Sequence, residues 1–207
     1  EIAQCLVGSE MCIRDRICVF LSGFSCFAQL YYFQPLLPDL AKDFILSASE
    51  SSFAISFSTL GMVFGLFTTM FVADRIPRKK MIGTGLLSSS IFSVAASFSP
   101  TFLPLILLSA AKGFLLSGAT SVSMAYIAEE VSSRNKGKIM GLYIAGNALG
   151  GMAGRVISSW IGALYTWRIA SVSIGLICAL FAILFLLFSP RSTNFMPRKE
   201  SFHTLII

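Results

Sequence analysis

Six stretches of mostly apolar residues, each about 20 residues long, follow one another along the 207-residue chain. They run approximately over residues 17–38, 52–73, 81–99, 102–128, 139–164 and 169–189. A helix of about 20 residues crosses the bilayer hydrocarbon, and in lipid the backbone has to satisfy its own hydrogen bonds, so each stretch predicts a transmembrane helix. Charged residues make up only 13% of the chain, against about 25% in a typical soluble domain. The sequence therefore predicts an all-α membrane protein with six transmembrane helices.

The basic residues fall mainly on one side of the predicted membrane. Of the 16 lysines and arginines, 12 lie in the two termini and in the connections after the second and fourth stretches. The connections on the opposite side hold only Lys42 and Arg168, whereas Lys112 and Arg155 lie inside predicted helices. Since cytoplasmic loops carry the excess of Lys and Arg, both termini are predicted to be cytoplasmic. Topology thus explains the net charge of +6, and no nucleic-acid partner is expected.

The two ends of the chain differ in character from its apolar body. Residues 5–15 read CLVGSEMCIRD, which resembles a translated sequencing-adapter peptide. We therefore expect residues 1–16 to be a non-native leader and exclude them from fold reasoning. Residues 17–190 are expected to form the six-helix domain. Residues 191–207, which are polar and basic, are expected to be a cytoplasmic linker that is truncated.

The connection between the second and third stretches carries a charged motif, VADRIPRKK, at residues 72–80. It resembles the signature loop of the major facilitator superfamily, Gly-x-Leu-Ala-Asp-Arg-x-Gly-Arg-Arg/Lys. The matching positions are Asp74, Arg75, Arg78 and Lys79, and the departures are Met70, Val72 and Pro77. A carboxylate followed by guanidinium groups can form charge-assisted hydrogen bonds to neighbouring helices, which hold one conformer closed and break in another. A simple positive-inside anchor is the alternative interpretation.

Other segments extend the resemblance over about residues 17–190. The segments YYFQPLLP at 31–38, MAYIAEE at 124–130, GLYIAGN at 141–147 and GGMAGR at 150–155 are similar to bacterial inner-membrane permeases of the drug or sugar efflux branch. Glu129, Glu130 and Arg134 are assigned to the same conformational latch as the loop motif. The resemblance implies the N-terminal six-helix bundle of a major facilitator transporter in the bacterial inner membrane.

Small residues recur at every fourth position of the fifth stretch. They are Gly146, Gly150, Gly154, Ser158 and Gly162. Positions four apart share one face of a helix, so this face lets another backbone approach closely. The resemblance adds a possible gating role, because helix five of family exporters carries a Gly-Pro-rich motif at the interface with the other half. Here Arg155 stands where a proline is expected, and static packing and gating both stay open.

Two cations lie inside predicted helices, where a charge costs about 2.5–3.5 kcal/mol on insertion scales and normally faces a cavity or a partner. Lys112 stands at the family's usual membrane-embedded arginine. We hypothesise that Lys112 and Arg155 bind an anionic substrate group or pair with carboxylates of the missing C-terminal half. Snorkelling and a structural pair are the alternatives. The resemblance implies that helices one and four line a central cavity, whose candidate residues are Tyr31, Gln34, Lys112, Asn147 and Arg155.

The predicted function is transport of a small solute by alternating access, as a proton-coupled efflux permease. No enzyme activity, cofactor or metal site is predicted, and the five cysteines show no metal-ligand spacing. Uptake of a small organic anion within the same family is the first alternative. The membrane domain of an ABC-type exporter is a weaker one, because it leaves the loop motif unexplained. An intramembrane serine protease of the rhomboid type would need a membrane-embedded histidine, and His203, the only histidine, lies in the predicted tail.

Overall fold

The architecture is a bundle of long helices in the computed structural model, which describes residues 13–73, 75–131 and 135–189, without the side chains of Ile13 and Glu130. The elements in these residues are α1 (Ile13–Tyr31), a 3-10 turn (Gln34–Leu36), α2 (Leu37–Asp43), α3 (Ala48–Ser51), α4 (Phe53–Val72), α5 (Arg78–Ser97), α6 (Phe102–Glu130), α7 (Lys136–Leu164) and α8 (Trp167–Phe188). Six helices, α1 and α4 to α8, are between 19 and 29 residues long. The predicted all-α fold with six long helices is confirmed.

The first apolar stretch does not form the single continuous helix that was predicted. α1 ends at Tyr31, and a 3-10 turn that contains Pro35 leads into α2, which contains Pro38. A proline has no backbone N–H to donate and its ring clashes with the preceding turn, so the two prolines interrupt the helix here. The backbone carbonyl of Tyr32 accepts a hydrogen bond from the Ser158 hydroxyl of α7 at 2.8 Å, which satisfies it across the break.

Three helices, α1, α5 and α7, begin three or four residues earlier in the sequence than the apolar stretches predicted. α5 begins at Arg78 and α7 at Lys136, each preceding the first strongly apolar residue. Pro77, with a φ of −53°, stands immediately before α5, where its fixed φ and missing N–H cost nothing. Arg78 and Lys79 therefore belong to the first turn of α5 rather than to a loop, and the helix fixes the direction of both side chains.

Four helical segments are long and apolar enough by composition alone to cross a membrane. They are Arg14–Asp43, Ala48–Val72, Phe102–Glu129 and Trp167–Phe188. The remaining long helices, α5 and α7, are less apolar because they carry many small residues. In α5 the buried hydroxyls of Ser89 and Ser90 both donate to the Leu86 carbonyl at 2.8 Å, so these polar groups are satisfied within their own helix. Small-residue content thus lowers the hydropathy of helices that lie closely against their neighbours.

In chain order the six long helices form two sets of three, α1–α4–α5 and α6–α7–α8, and the main contacts join helices of different sets. The second helix of each set packs along the first helix of the other set, α4 on α6 and α7 on α1. The third helices, α5 and α8, contact each other, and each also packs on the first helix of the other set. This exchange is the pattern expected of two inverted repeats related by a pseudo-two-fold axis in the membrane plane.

Glycines allow the close approach of α4 and α6. A Cβ atom added to Gly61 would collide with the backbone carbonyl of Ala110, and one added to Gly113 would collide with the carbonyl of Ser58. Small residues that let two backbones approach are a common means of helix association in lipid, where no hydrophobic driving force acts between helices. The α1–α7 pair, its counterpart across the pseudo-two-fold axis, uses the same device and carries most of the candidate site.

Candidate functional site

The glycine face of α7 packs against the backbone of α1. A Cβ added to Gly146 would lie 2.6 Å from the carbonyl oxygen of Phe20, and one added to Gly150 would lie 2.6 Å from the Cα of Phe24. Gly154 approaches the next turn of α1 in the same way, at 2.8 Å. Real Cβ atoms do not approach backbone this closely, so only glycine fits these positions in this packing.

Gly162 differs from the other glycines of this face. A Cβ added there would lie 2.6 Å from the Cδ2 atom of Leu36, the end of a flexible side chain. The glycine face is thus covered by α1 and by the turn that follows it, all within the described helices. These contacts account for the glycines by packing, and the gating role stays a prediction.

One side of the α1–α7 pair combines aromatic and polar side chains. The guanidinium of Arg155 lies over the Tyr31 ring, 4.7 Å from its centroid. The ring of Phe27 packs 5.9 Å from that of Tyr31, and Gly151 makes room for it, since a Cβ there would lie 3.3 Å from the Tyr31 ring. Arg155 is exposed and Tyr31 is half-buried. We call this the open face, defined by Phe27, Tyr31, Asn147, Gly151 and Arg155.

Asn147 and Gln34 lie along the same helix pair. Asn147 is half-buried against Gly23 of α1, and its Oδ1 atom has no hydrogen-bond partner among the described residues. Gln34 is half-buried in the 3-10 turn, which contacts α7. The structure therefore brings Tyr31, Gln34, Asn147 and Arg155 to one helix pair. The Oδ1 atom of Asn147 is buried against α1, so the exposed guanidinium of Arg155 and the ring of Tyr31 are the groups that this side offers to a small polar solute.

Lys112 lies elsewhere, in the interior of the bundle. Its side chain is 1% exposed, and its Nζ atom lies 4.5 Å from the ring centroid of Tyr32 and 4.7 Å from that of Phe33. No hydrogen-bond partner of this Nζ is present among the described residues. The two cations thus do not face one cavity in this structure, because Lys112 is buried against Tyr32 and Phe33, whereas Arg155 is exposed over Tyr31 at the end of α1. Contact of Lys112 with the solute stays a prediction for another conformer.

Arg78 joins three helices at the end of the bundle that carries residues 75–80, here called the motif end. Its Nε and NH2 groups donate to the two carboxylate oxygens of Glu129 at 3.2 and 2.9 Å, and its NH1 donates to the Ala73 carbonyl, just after α4, at 2.7 Å. The ammonium of Lys79 donates to the carbonyl of Ser189, at the end of α8. A planar guanidinium suits such a bidentate pair. The first turn of α5 is thereby tied to the C-terminal ends of α4, α6 and α8.

The remaining latch candidates are only partly described. Arg75 is exposed in the turn between α4 and α5. Asp74, Arg134 and the side chain of Glu130 lie outside the described residues. Arg78, Lys79 and Glu129 therefore form the part of the predicted latch whose contacts can be followed, and the switching role of the whole set stays a prediction.

A second arginine cluster, which the sequence analysis did not assign, lies at the opposite end of the bundle. The NH2 group of Arg168 donates to Asp43 Oδ2 at 3.1 Å, and its NH1 donates to the carbonyls of Ser97 and Ser99 at 2.8 and 3.0 Å. The indole N–H of Trp167 donates to the same oxygen of Asp43 at 2.9 Å. The start of α8 is thus tied to the end of α2 and to the end of α5.

The inverted repeat relates the two arginine clusters. Arg78 begins the third helix of the first set, and Arg168 is the second residue of the third helix of the other set. Each pairs with a carboxylate of the other set: Glu129 lies in the last turn of α6, and Asp43 is the last residue of α2, which follows α1. An arginine at the start of both the third and the sixth predicted helix is the sequence signal that could have revealed the second cluster.

The described residues hold three thiols and no metal-ligand cluster. Cys18, Cys26 and Cys178 are buried free thiols. Within residues 13–189, apart from the gaps at 74 and 132–134, no three His, Cys, Asp or Glu side chains are grouped so as to hold a metal ion. The open face carries a guanidinium and two aromatic rings, which are groups that can bind a polar solute.

Known proteins similar to this chain are membrane transporters. The sequence profile described as Major Facilitator Superfamily matches residues 19–204. An uncharacterized transporter from Buchnera aphidicola subsp. Schizaphis graminum is 38% identical over 91% of this chain and 46% of its own length, and the inner membrane transport protein YnfM of Escherichia coli is 36% identical over 97% and 48%. The crystal structure of a bacterial homolog of the human lysosomal transporter Spinster matches the fold with a TM-score of 0.70 at 17% identity, over 92% of this chain and 45% of that one. The chain spans about half the length of the curated relatives it matches.

Proposed function

This chain belongs to the major facilitator superfamily, a family of membrane transporters rather than enzymes, and we propose that it is the N-terminal six-helix half of a secondary transporter that moves a small solute by alternating access. A second six-helix half, outside this chain, completes the cavity in this proposal. The relatives are about twice as long as the matched region, which supports a two-half protein. The two halves rock around a central site, and the inverted three-helix sets described above are the building units of such a half.

The proposed location is the bacterial inner membrane, with both termini in the cytoplasm. The support is the charge distribution: with residues 1–16 left out, 10 of the remaining 14 basic residues lie in the C-terminal segment and in the connections of one side, against two in the connections of the other. The motif end, with Arg75 and Lys80 exposed, is then the cytoplasmic end, and the Asp43–Arg168 cluster faces the periplasm.

The exposed guanidinium of Arg155 is the single observation that carries the proposed solute site. Arg155 is stacked on Tyr31 at 4.7 Å and has no carboxylate partner among the described residues, although it lies in the body of a long helix. A charge placed there normally faces a cavity or a partner. We assign Arg155 the role of binding an anionic group of the solute, with Tyr31, Gln34 and Asn147 as neighbouring polar contacts.

Two directions of transport follow from different features of the chain. Efflux in exchange for protons is the primary proposal, supported by the similarity of residues 31–38 and 141–155 to efflux-type permeases. Uptake of a small organic anion is the second candidate, and Arg155 favours it because a guanidinium pairs well with a carboxylate. Vesicle orientation separates the two candidates. In inverted vesicles an acidic interior should drive solute accumulation by proton exchange, whereas uptake with protons should require right-side-out vesicles in acidic medium.

The anion site can be tested in proteoliposomes that contain the full-length protein. We would measure the transport of a panel of radiolabelled mono- and dicarboxylates by the parent protein and by the variants Arg155→Gln and Arg155→Lys. Loss of a charge-assisted hydrogen bond of about 1.5–3 kcal/mol should raise KM about tenfold or more in Arg155→Gln. Arg155→Lys, which keeps the charge but loses the planar fork, should lie between the parent and Arg155→Gln.

The matched control is Lys138→Gln, which removes an exposed cation from the first turn of the same helix. It should leave KM for every carboxylate unchanged. An unchanged KM in Arg155→Gln, with the same amount of protein in the membrane, would exclude Arg155 from the solute site. Failure of the parent to transport any of the anions would contradict the proposed anionic solute.

A further inference from the structure

Lys112 lies on the segment where α1 breaks. Tyr32 and Phe33 are the two residues between the end of α1 and the 3-10 turn, and their rings stack on each other with centroids 4.2 Å apart at an interplanar angle of 30°. The Nζ of Lys112, reaching across from α6, lies 4.5 and 4.7 Å from these two ring centroids. One ammonium thus contacts both residues of the break.

The rings of Tyr32 and Phe33 stabilise the ammonium of Lys112 through cation–π contacts. Lys112 is 1% exposed, and its Nζ has no hydrogen-bond acceptor among the described residues. A cation that is buried away from water loses its hydration and needs a favourable interaction to offset that cost. The face of an aromatic ring attracts a cation most strongly when both are desolvated. Tyr32 and Phe33 are themselves 0% and 1% exposed, so the contact is desolvated on both sides.

The break is also held from the opposite helix. The Ser158 hydroxyl of α7 donates to the carbonyl oxygen of Tyr32 at 2.8 Å. The backbone of the break is therefore bound by α7, while its side chains are bound by Lys112 of α6. Tyr31 directly precedes Tyr32 and Phe33, and Gln34 directly follows them. Both Tyr31 and Gln34 are candidates for contact with the solute.

We propose that Lys112 is a positioning residue, which clamps Tyr32 and Phe33 and thereby sets the positions of Tyr31 and Gln34 on the solute-facing side. The clamp itself follows from the packing, and only the assignment of Tyr31 and Gln34 to the solute rests on the proposed function. In this conformer Lys112 acts through the α1 break, because its buried side chain contacts Tyr32 and Phe33 and not the open face. Removing its positive charge should loosen the break, whereas replacing it with another cation should not.

Cysteine accessibility tests the clamp without any assumption about the solute. In the full-length protein, with the native cysteines replaced by alanine, we would introduce Gln34→Cys and measure its labelling rate with a membrane-impermeant maleimide in proteoliposomes. Adding Lys112→Met should raise this rate by roughly tenfold, the order that loss of a desolvated cation–π contact supports. Lys112→Arg, which keeps a cation over the rings, should label within about twofold of the parent.

Two further variants keep the test decisive. Phe33→Leu removes a ring while Lys112 stays, and it should reproduce the faster labelling even if Lys112→Met accumulates poorly. Lys138→Met, an equivalent change at an exposed position, should have no effect. Equal labelling of Lys112→Met, Phe33→Leu and the parent, or equal acceleration by Lys112→Met and Lys112→Arg, would overturn the clamp. Because labelling needs no transport, the clamp can stand when the anion site fails, and the anion site can stand when the clamp fails.

Discussion

The Arg78 side chain connects α4, α5 and α6 at the motif end. It is 8% exposed, it forms a bidentate pair with Glu129, and it satisfies the Ala73 carbonyl that the end of α4 leaves free. Glu129 lies in α6 and Ala73 directly follows α4. The pair therefore stabilises the bundle that the described helices form.

Replacing Arg78 with Met should lower the free energy of unfolding of the full-length protein in detergent by about 2 kcal/mol, since hydrogen bonds to charged groups are lost and Glu129 is left unpaired. Thermal unfolding followed by a thiol-reactive dye or by tryptophan fluorescence would measure the effect. Arg75→Met removes an exposed cation of the same motif and should change stability little. Equal destabilisation by the two variants would contradict the role assigned to Arg78.

Residue identity and residue direction were predictable to different degrees. Lys112 and Arg155 could be singled out from the sequence because charged residues are rare in apolar stretches. Their directions could not, because the side of α6 or α7 that meets a neighbouring helix depends on packing between residues far apart in the sequence. As a result the sequence placed both cations in one cavity, whereas the structure places Lys112 in the core and Arg155 on the open face.

At the scale of the element, α7 packs on α1 through glycines. The effect of replacing one of them can be compared with the effect of replacing a glycine of α7 that contacts nothing. Gly150 lies against the backbone of Phe24, whereas Gly141, on the same helix, has no atom within 4 Å of an added Cβ. Helix propensity changes equally at both sites, so the difference between the two variants isolates packing.

Gly150→Val should therefore destabilise the full-length protein by about 1–3 kcal/mol, the usual cost of overpacking a well-packed contact. Gly141→Val should leave stability unchanged or raise it slightly. The melting temperature of each purified variant in detergent is the measurement. Similar melting temperatures for the two variants would show that α7 does not lie against α1 as described.

The polar character of α5 and α7 also belongs to this scale. Both helices were predicted from their apolar stretches, yet composition alone selects only the other four long segments. Their serines and glycines replace bulky apolar side chains where another helix approaches, so packing against neighbours lowers hydropathy. An apolar count therefore underestimates helices that pack through small residues.

At the scale of the whole molecule, the orientation in the membrane is the prediction on which the solute path depends. Ile45, between α2 and α3, is 93% exposed, and Lys138, in the first turn of α7, is exposed at the motif end. In intact cells that express the full-length protein without its native cysteines, an impermeant maleimide should label Ile45→Cys but not Lys138→Cys, because basic connections stay in the cytoplasm.

Permeabilising the cells serves as the control for this labelling, since Lys138→Cys should then react as readily as Ile45→Cys. The reverse pattern in intact cells, with Lys138→Cys labelled and Ile45→Cys protected, would invert the topology. It would also move the Asp43–Arg168 cluster to the cytoplasmic side and the Arg78–Glu129 pair to the outer side.

Protein class, the number of long helices and the motif at residues 72–80 could all be read from the chain, because hydropathy and charge are sums over neighbouring residues and need no knowledge of distant contacts. The glycine face of α7 was equally readable, since helical periodicity is local. Tertiary packing alone decided three other features, because each joins helices far apart in the sequence. They are the packing of the glycine face on α1, the pairing of Arg168 with Asp43, and the burial of Lys112 against the α1 break. Those contacts depend on the angle at which each helix meets its neighbour, and the two prolines after α1 change that angle in a way that only the packed bundle defines.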